Sequence, residues 1–313
     1  RLCSPCFRHY SILDFESKFD VIDTKSSSIS YSDTTTSKEV KDNFRYDQSS
    51  SSSPIVFVFA HGMGGNKANF RGHAQEMFDR FGHKSILFDF PGHGSRESEE
   101  ITLESCANAL KEALKNSGII YPLPYENENN DNYTTKNKLI YVGASFGAYV
   151  GFYLLSKFKK LFSGAVLMSC GHDMTKARVG IGIWIFGIIT SRMSNLQFMS
   201  QYTKKAGVEV SRDYIKIDYS SMLRGGVFFE QSSKMFDCMQ SVNPADYIPH
   251  LSFPLLYLNG SNDWGRANSD KRWLKMSIDQ DNSSLKVYYG GDHFFSHDSR
   301  FFDDVINEIN RFV

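Results

Sequence analysis

Short apolar runs alternate with segments of helical periodicity along most of the chain. An uninterrupted apolar run such as residues 54–60 is typical of a strand buried in a parallel sheet. Apolar residues at three- and four-residue spacing predict amphipathic helices between these runs. We therefore predict strands at residues 19–23, 28–31, 54–60, 85–90, 139–142, 165–169, 254–258 and 285–289, the first two of them antiparallel. Helices are predicted at residues 67–81, 101–117, 149–155 and 301–312, so the fold class is α/β with a mainly parallel sheet.

The alternation breaks between residues 172 and 245, which predicts an insertion into the α/β domain. Within it, the nearly uninterrupted apolar run at residues 179–190 is too short to cross a bilayer. We interpret this run as a buried helix of a cap. Two alternatives stay open, namely the wall of an apolar substrate channel and a peripheral contact with a membrane surface. The predicted organisation is a tail at 1–17, a core at 18–171, a helical cap insertion at 172–245, the rest of the core at 246–313, and a surface insertion at 121–138 within the first part.

One predicted strand runs directly into a helix at Gly143-Ala144-Ser145-Phe146-Gly147. A G-x-S-x-G sequence between a strand and a helix is the pattern of a nucleophile elbow, in which the serine lies at the tip of a tight, strained turn. Glycine on both sides removes side chains that would collide with neighbouring backbone, so the hydroxyl of Ser145 stays accessible. Ser145 is therefore the candidate nucleophile.

Further polar residues follow other predicted strands at their carboxyl ends, where the active sites of parallel sheets lie. A serine hydroxyl needs a base within hydrogen-bond reach, and the base needs an orienting carboxylate. Asp263 and His293 follow the last two strands, so we predict a triad of Ser145, Asp263 and His293 in the chain order expected for this kind of sheet. His297 is the alternative base and Asp173 the alternative acid.

An acyl-transfer site of this type also needs two fixed N–H donors for the oxyanion of its tetrahedral intermediate. The N–H of Phe146, directly after the candidate nucleophile, is one expected donor, and the start of the helix adds its dipole. A glycine-rich turn begins at His61 and leaves N–H groups available, so Met63 is the second expected donor and Gly64 its alternative. His61 and His93 are interpreted as histidines that brace these loops and not as proton carriers.

Five motifs occur together in the chain: His61-Gly62-Met63-Gly64-Gly65, Asp89-Phe90-Pro91-Gly92-His93-Gly94-Ser95, Gly143-Ala144-Ser145-Phe146-Gly147, Gly260-Ser261-Asn262-Asp263 and Gly291-Asp292-His293-Phe294. With them the chain resembles the α/β-hydrolase superfamily from about residue 18 to residue 313. The resemblance implies a mostly parallel eight-stranded sheet with helices on both faces, a Ser-His-Asp triad and a cap inserted after the sixth strand. Pro91 stands where the superfamily commonly has arginine, a difference that affects the turn and not the chemistry.

Composition narrows the possible partners and sites. Lys+Arg and Asp+Glu both number 35, and this zero net charge argues against nucleic acid as the main partner. No apolar run reaches the roughly 18 residues of a spanning helix. We expect no cofactor and no metal, because Cys3 and Cys6 lack a second ligand pair. The scattered cysteines favour a reducing, cytoplasmic or organellar compartment, and the start at Arg1 suggests an incomplete or trimmed N-terminus.

The predicted triad and the aromatic, isoleucine-rich insertion together indicate a serine hydrolase. We expect it to act on a small ester or thioester with a hydrophobic acyl or alkyl group, through an acyl-enzyme at Ser145. Acyl transfer to another acceptor, carbon–carbon bond hydrolysis and a ligand-binding protein without catalysis stay open as alternatives. A serine at the nucleophile position argues against haloalkane dehalogenase and epoxide hydrolase chemistry, which need a carboxylate there.

Overall fold

The apolar runs form the strands of one mainly parallel sheet, as their pattern predicts. The computed structural model describes residues 19–22, 53–122, 133–176, 228, 230–263 and 269–313. Every strand predicted within these residues is present, with its ends shifted by at most a few positions. In chain order the strands are β1 Phe19–Ile22, β2 Ile55–Ala60, β3 Lys84–Phe88, β4 Tyr121–Pro122, β5 Tyr133–Thr134, β6 Lys138–Ala144, β7 Phe162–Met168, β8 Leu255–Gly260 and β9 Ser284–Tyr288.

Within the described residues, the main sheet has seven strands in the order β1-β3-β2-β6-β7-β8-β9. β1 is antiparallel to β3, and all other neighbours are parallel. The strand predicted at residues 28–31 lies outside the described residues. β4 and β5 pair with each other, antiparallel, in the insertion that precedes β6. In an open sheet of this kind, ligands bind at the carboxyl ends of the strands.

Helices connect the parallel strands and include all four of those predicted. In chain order they are α1 Arg71–Phe81, α2 Leu103–Asn116, α3 Phe146–Lys157, α4 Ser232–Ser241, α5 Pro244–Tyr247, α6 Ser269–Leu274 and α7 Phe302–Arg311. Short 3-10 turns lie at Lys67–Phe70, Gly94–Arg96, Met174–Lys176, Ile248–His250 and Phe295–His297.

The helix predicted over residues 67–81 is divided into the 3-10 turn Lys67–Phe70 and α1. The side chain of Asn66 accepts a hydrogen bond from Ala68 N–H at 2.9 Å, and the side chain of Asn69 accepts one from Asn66 N–H at 3.2 Å. This reciprocal cap satisfies donors at the helix start that have no partner within the helix. Hydrophobic periodicity does not encode the cap, which explains the difference.

Helices cover both faces of the sheet. Because successive strand residues point to opposite faces, Val56 and Val58 join the apolar cluster that contains α2 and α3, whereas Phe57 and Phe59 join the cluster of α1 and α7. Full burial of one such side chain contributes about 1.5–3 kcal/mol. The sheet is therefore packed between two apolar clusters.

Most of the predicted cap, including residues 179–190, lies outside the described residues. Its C-terminal end is described, and α4 buries its apolar face in the cluster that contains α3. The side chain of Gln231 donates to Glu99 O at 2.9 Å and accepts from Ile101 N–H at 3.1 Å. The end of the insertion is therefore fastened to the loop that precedes α2.

Candidate active site

Ser145 lies at the junction of β6 and α3, at the carboxyl end of the sheet. Its φ of 50° is in the left-handed region that residues with a side chain rarely adopt. Its N–H donates to Met168 O at 2.9 Å, and its C=O accepts from Tyr149 N–H at 2.9 Å. These main-chain bonds hold the strained turn in place, and the turn has the geometry of a nucleophile elbow.

The turn leaves no room for side chains at its two glycines. A Cβ atom at Gly143 would lie 2.7 Å from Gly147 O. A Cβ atom at Gly147 would lie 2.7 Å from His61 O and still closer to Ala60 O. Both positions exclude a side chain for the steric reason that the motif indicated.

The structure brings the three residues of the predicted triad together. The Ser145 hydroxyl lies 2.9 Å from His293 Nε2. His293 Nδ1 lies 2.9 and 3.0 Å from the two carboxylate oxygens of Asp263. Because a carboxylate only accepts hydrogen bonds, the Nδ1 proton donates to Asp263 and leaves Nε2 to accept the proton of the serine hydroxyl. The side chain of Asp263 is fully buried and that of His293 is 16% exposed, so the imidazole is accessible to solvent and the carboxylate is not.

Main-chain hydrogen bonds join the ends of β8 and β9 and the loops that follow them, and these loops carry Asp263 and His293. Asn262 N–H donates to Gly291 O at 2.8 Å, and Ser261 N–H donates to Tyr288 O at 2.9 Å. Two segments that are distant in sequence are thereby joined at the carboxyl edge of the sheet.

The alternative acid and base of the sequence analysis have other partners. Asp173 pairs with Arg272 Nη2 at 2.9 Å and accepts from Thr175 Oγ1 at 2.6 Å. His297 Nε2 lies 2.8 Å from Asn69 O, beside α1. These contacts favour Asp263 and His293 over them.

The segments that carry the two expected oxyanion donors lie next to Ser145. Phe146 N–H belongs to the first turn of α3, where helix N–H groups have no partner within the helix. A Cβ atom at Gly62 would lie 3.5 Å from the Ser145 Cβ, so the turn that carries Met63 packs directly against Ser145. Gly64 N–H donates to His93 Nε2 at 3.1 Å and is thus already engaged. This bond favours Met63 over Gly64 as the second donor.

His61 and His93 join the two glycine-rich turns next to the site. His61 Nε2 accepts from Phe90 N–H at 3.1 Å, and its Nδ1–H donates to Gly62 O at 2.8 Å. His93 Nε2 accepts from Gly64 N–H, and its Nδ1–H donates to the carbonyl of residue 91 at 2.9 Å. Burial lowers the pKa of His61 to about 4 and that of His93 well below its usual range, so both rings are neutral at pH 7. Neutral, fully bonded rings brace the loops, as expected.

One residue beside the triad carries no sequence motif. Ser169 directly follows β7 and has a φ of 54°. Its hydroxyl donates to the main-chain oxygen of His293 at 2.7 Å. Ser169 follows the end of a strand, as Asp263 and His293 do, and this position in the sequence could have identified it.

Two kinds of feature are absent from the described part of the chain. It contains no group of three or more His, Cys, Asp or Glu side chains that could hold a metal ion. It also contains no helix with the length and apolar character needed to cross a membrane.

A match to a protein-family model identifies the family of this chain. The model of the hydrolase family described as serine aminopeptidase, S33, matches residues 52–300 of this chain. The chain belongs to this family. It is therefore a hydrolase of the α/β-hydrolase superfamily, and the matched range includes Ser145, Asp263 and His293. A search of curated proteins finds no significant match.

Solved structures with different activities share the fold of this hydrolase. A thermophilic esterase from Thermogutta terrifontis is 17% identical, with a TM-score of 0.57 over 82% of this chain and 88% of the esterase. A monoacylglycerol lipase from Paleococcus ferrophilus is 15% identical, with a TM-score of 0.53 over 81% of this chain and 91% of the lipase. An enol-lactonase from Burkholderia xenovorans LB400 is 12% identical, with a TM-score of 0.58 over 83% of this chain and 91% of the lactonase. At such identities the likeness shows the fold and not the substrate.

Proposed function

We propose that this hydrolase cleaves an ester or thioester of a hydrophobic acyl or alkyl group, with Ser145 as nucleophile, His293 as general base and Asp263 as orienting acid. The observation that carries the proposal is the position of the His293 ring. Its Nε2 lies 2.9 Å from Ser145 Oγ, and its Nδ1 lies 2.9 Å from the nearer oxygen of Asp263. A neutral imidazole in this position takes the serine proton as the nucleophile attacks, and the carboxylate stabilises the imidazolium that forms.

Acylation begins when Ser145 Oγ attacks the substrate carbonyl carbon and its proton moves to His293 Nε2. The negative charge on the former carbonyl oxygen is bound by the N–H groups of Met63 and Phe146, each of which lowers the barrier by about 3–4 kcal/mol. Collapse of the intermediate breaks the bond to the alcohol or thiol, which leaves with the proton from His293. Water activated by the same imidazole then releases the acid and restores Ser145.

Two observations support a hydrophobic ester as the substrate. Phe294 is 37% exposed beside the base, and the centroids of the Phe294 and His293 rings are 5.4 Å apart. An exposed aromatic ring at this point suits an apolar acyl chain better than a charged one. The neighbours named above as esterase, lipase and lactonase act on bonds of the ester type. The family description favours a second candidate, an amide of an amino acid, which the test must therefore include.

The test compares kcat/KM for p-nitrophenyl esters from acetyl to palmitoyl with that for amino acid p-nitroanilides. We expect esters to be preferred, with a maximum at a medium or long acyl chain. Ser145→Ala should lower kcat by at least about 1,000-fold, because the nucleophile is lost and only binding and oxyanion contacts stay. Ser117→Ala, a change at the end of α2, is the matched control and should retain full activity.

Full ester hydrolysis by Ser145→Ala would refute the nucleophile, and a preference for the anilides would replace the ester by an amide. Acyl transfer uses the same residues as hydrolysis, so it is separated by product analysis. Transfer is indicated if an added alcohol or thiol diverts most of the acyl group from the free acid to a new ester or thioester.

A further inference from the structure

The turn that follows β7 contacts the segments that carry all three members of the candidate triad. Met168 O accepts the N–H of Ser145 at 2.9 Å. The next N–H, that of Ser169, donates to Leu258 O at 3.0 Å, in the strand that leads to Asp263. The third segment is reached by a side chain, because the hydroxyl of Ser169 donates to the main-chain oxygen of His293 at 2.7 Å.

The backbone of Ser169 is held in a conformation that serine rarely adopts. Its φ of 54° lies in the left-handed region, and Ser145 is the only other described residue besides glycine with a positive φ. Ser169 is 4% exposed, so its hydroxyl bond to His293 forms away from bulk water, where hydrogen bonds are stronger. Residues in such strained conformations persist only where the surroundings fix them, and they cluster at active sites.

We propose that Ser169 is a positioning residue for His293, whose main chain it fixes so that the imidazole lies between Ser145 and Asp263. The ring must meet both partners at 2.9 Å at the same time, so a displacement of its main chain lengthens at least one of the two bonds. Misplacement of a reacting group by about 1 Å can cost on the order of 100-fold in rate. This inference rests on the proposed function, since it concerns the base of that reaction.

Two substitutions of Ser169 remove the hydroxyl, but only one of them also removes the backbone strain. Ser169→Gly allows the left-handed φ without strain, whereas Ser169→Ala retains a Cβ atom and the strain. An equal effect of both on catalysis therefore reports the hydroxyl and not the backbone. Ser277→Ala is the matched control, because Ser277 is buried and donates to Trp273 O away from the triad.

Each variant is measured in two ways. Steady-state hydrolysis of a p-nitrophenyl ester gives kcat and KM separately, and thermal unfolding confirms that the variant is folded. Proton NMR at low temperature follows the Nδ1–H of His293, assigned by its loss in His293→Gln. This resonance reports the hydrogen bond to Asp263 even if the protein has no activity on the ester.

We expect both Ser169 variants to lower kcat by about 10-fold with KM changed less than about twofold, and to broaden the His293 resonance. Ser277→Ala should change neither. An unchanged kcat or an unchanged His293 resonance in the Ser169 variants would each overturn the positioning role. The role would also be overturned if kcat and KM changed together and the change followed a loss of folded protein. A wild-type protein that shows the resonance but hydrolyses no ester would refute the proposed function instead, and the resonance of the variants would still decide the role of Ser169.

Discussion

At the scale of single residues, the site depends on serines with a strained backbone and on glycines whose surroundings leave no room for a side chain. Ser145 and Ser169 both have left-handed φ values, and each follows a parallel strand. Left-handed conformations cost a residue with a Cβ atom about 1–2 kcal/mol. The main-chain hydrogen bonds of both serines to neighbouring strand ends offset this cost.

The close packing of Gly147 can be tested against that of Gly62. A Cβ atom at Gly147 would meet the carbonyl oxygens of Ala60 and His61, which belong to rigid backbone, whereas one at Gly62 would meet nothing closer than 3.5 Å. We predict that Gly147→Ala lowers the free energy of unfolding by about 1–3 kcal/mol, as overpacking does. Gly62→Ala should lower it by less than about 1 kcal/mol. Urea unfolding at pH 7.5 checks both values, and equal losses in the two variants would contradict the packing described here.

The sequence predicted which residues belong to the candidate site better than it predicted which side chain each of them contacts. Asp173 and Asp263 both follow strands, so the sequence predicts Asp263 as the acid and keeps Asp173 as an alternative. Only the folded positions separate them, because Asp173 pairs with Arg272 while Asp263 meets His293. Met63 is likewise predicted with Gly64 as its alternative, and it is the folded bond from Gly64 N–H to His93 that favours Met63.

At the scale of elements, strands were predictable because the buried runs are mostly apolar and end at glycine, proline or a polar residue. The runs before Ser145 and before Asp263 show this most clearly, and the structure places β6 and β8 there. Helix starts were less predictable. The 3-10 turn ahead of α1 depends on the side-chain cap of Asn66, which leaves no mark on hydrophobic periodicity.

The packing of the insertion could not be read from its sequence. Helical periodicity identifies an apolar face but not the surface that the face covers. The structure shows α4 joined to the cluster of α3, and Gln231 fixed to the main chain before α2. Contacts between segments so far apart along the chain depend on the assembled fold.

At the scale of the whole molecule, buried histidines couple stability to pH. Burial lowers the pKa values of His61, His73, His93 and His297 below the usual 6.5, to about 4 for His61. Between pH 4 and 6.5 the unfolded chain therefore binds more protons than the folded protein, and stability falls as the pH falls. Burial raises the pKa of Asp89, which acts in the opposite direction at the acidic end of this window.

We predict that the free energy of unfolding is lower at pH 5.5 than at pH 7.5, and that His61, whose pKa is lowered to about 4, accounts for about 1 kcal/mol of this difference. In His73→Phe the difference between the two pH values should be smaller than in the unmodified protein, because the pKa of His73 is also lowered. Phenylalanine fits this position, because the His73 ring packs 5.1 Å from Phe70 and 4.7 Å from Phe302. Urea titrations at both pH values measure the difference, and an identical pH dependence in the variant would contradict the assignment.

The architecture also explains how residues from three distant segments form one site. Parallel strands β6 and β8 end at the same edge of the sheet, and the loop after β9 crosses to meet them. We propose that this convergence makes Ser145 a nucleophile activated by His293.

Intact-mass and peptide mass spectrometry after treatment with a fluorophosphonate test this claim most directly. We predict one adduct per chain, located at Ser145, absent from Ser145→Ala and formed at least about 100-fold more slowly in His293→Gln. An adduct on another residue, or labelling of Ser145→Ala at the rate of the unmodified protein, would contradict it.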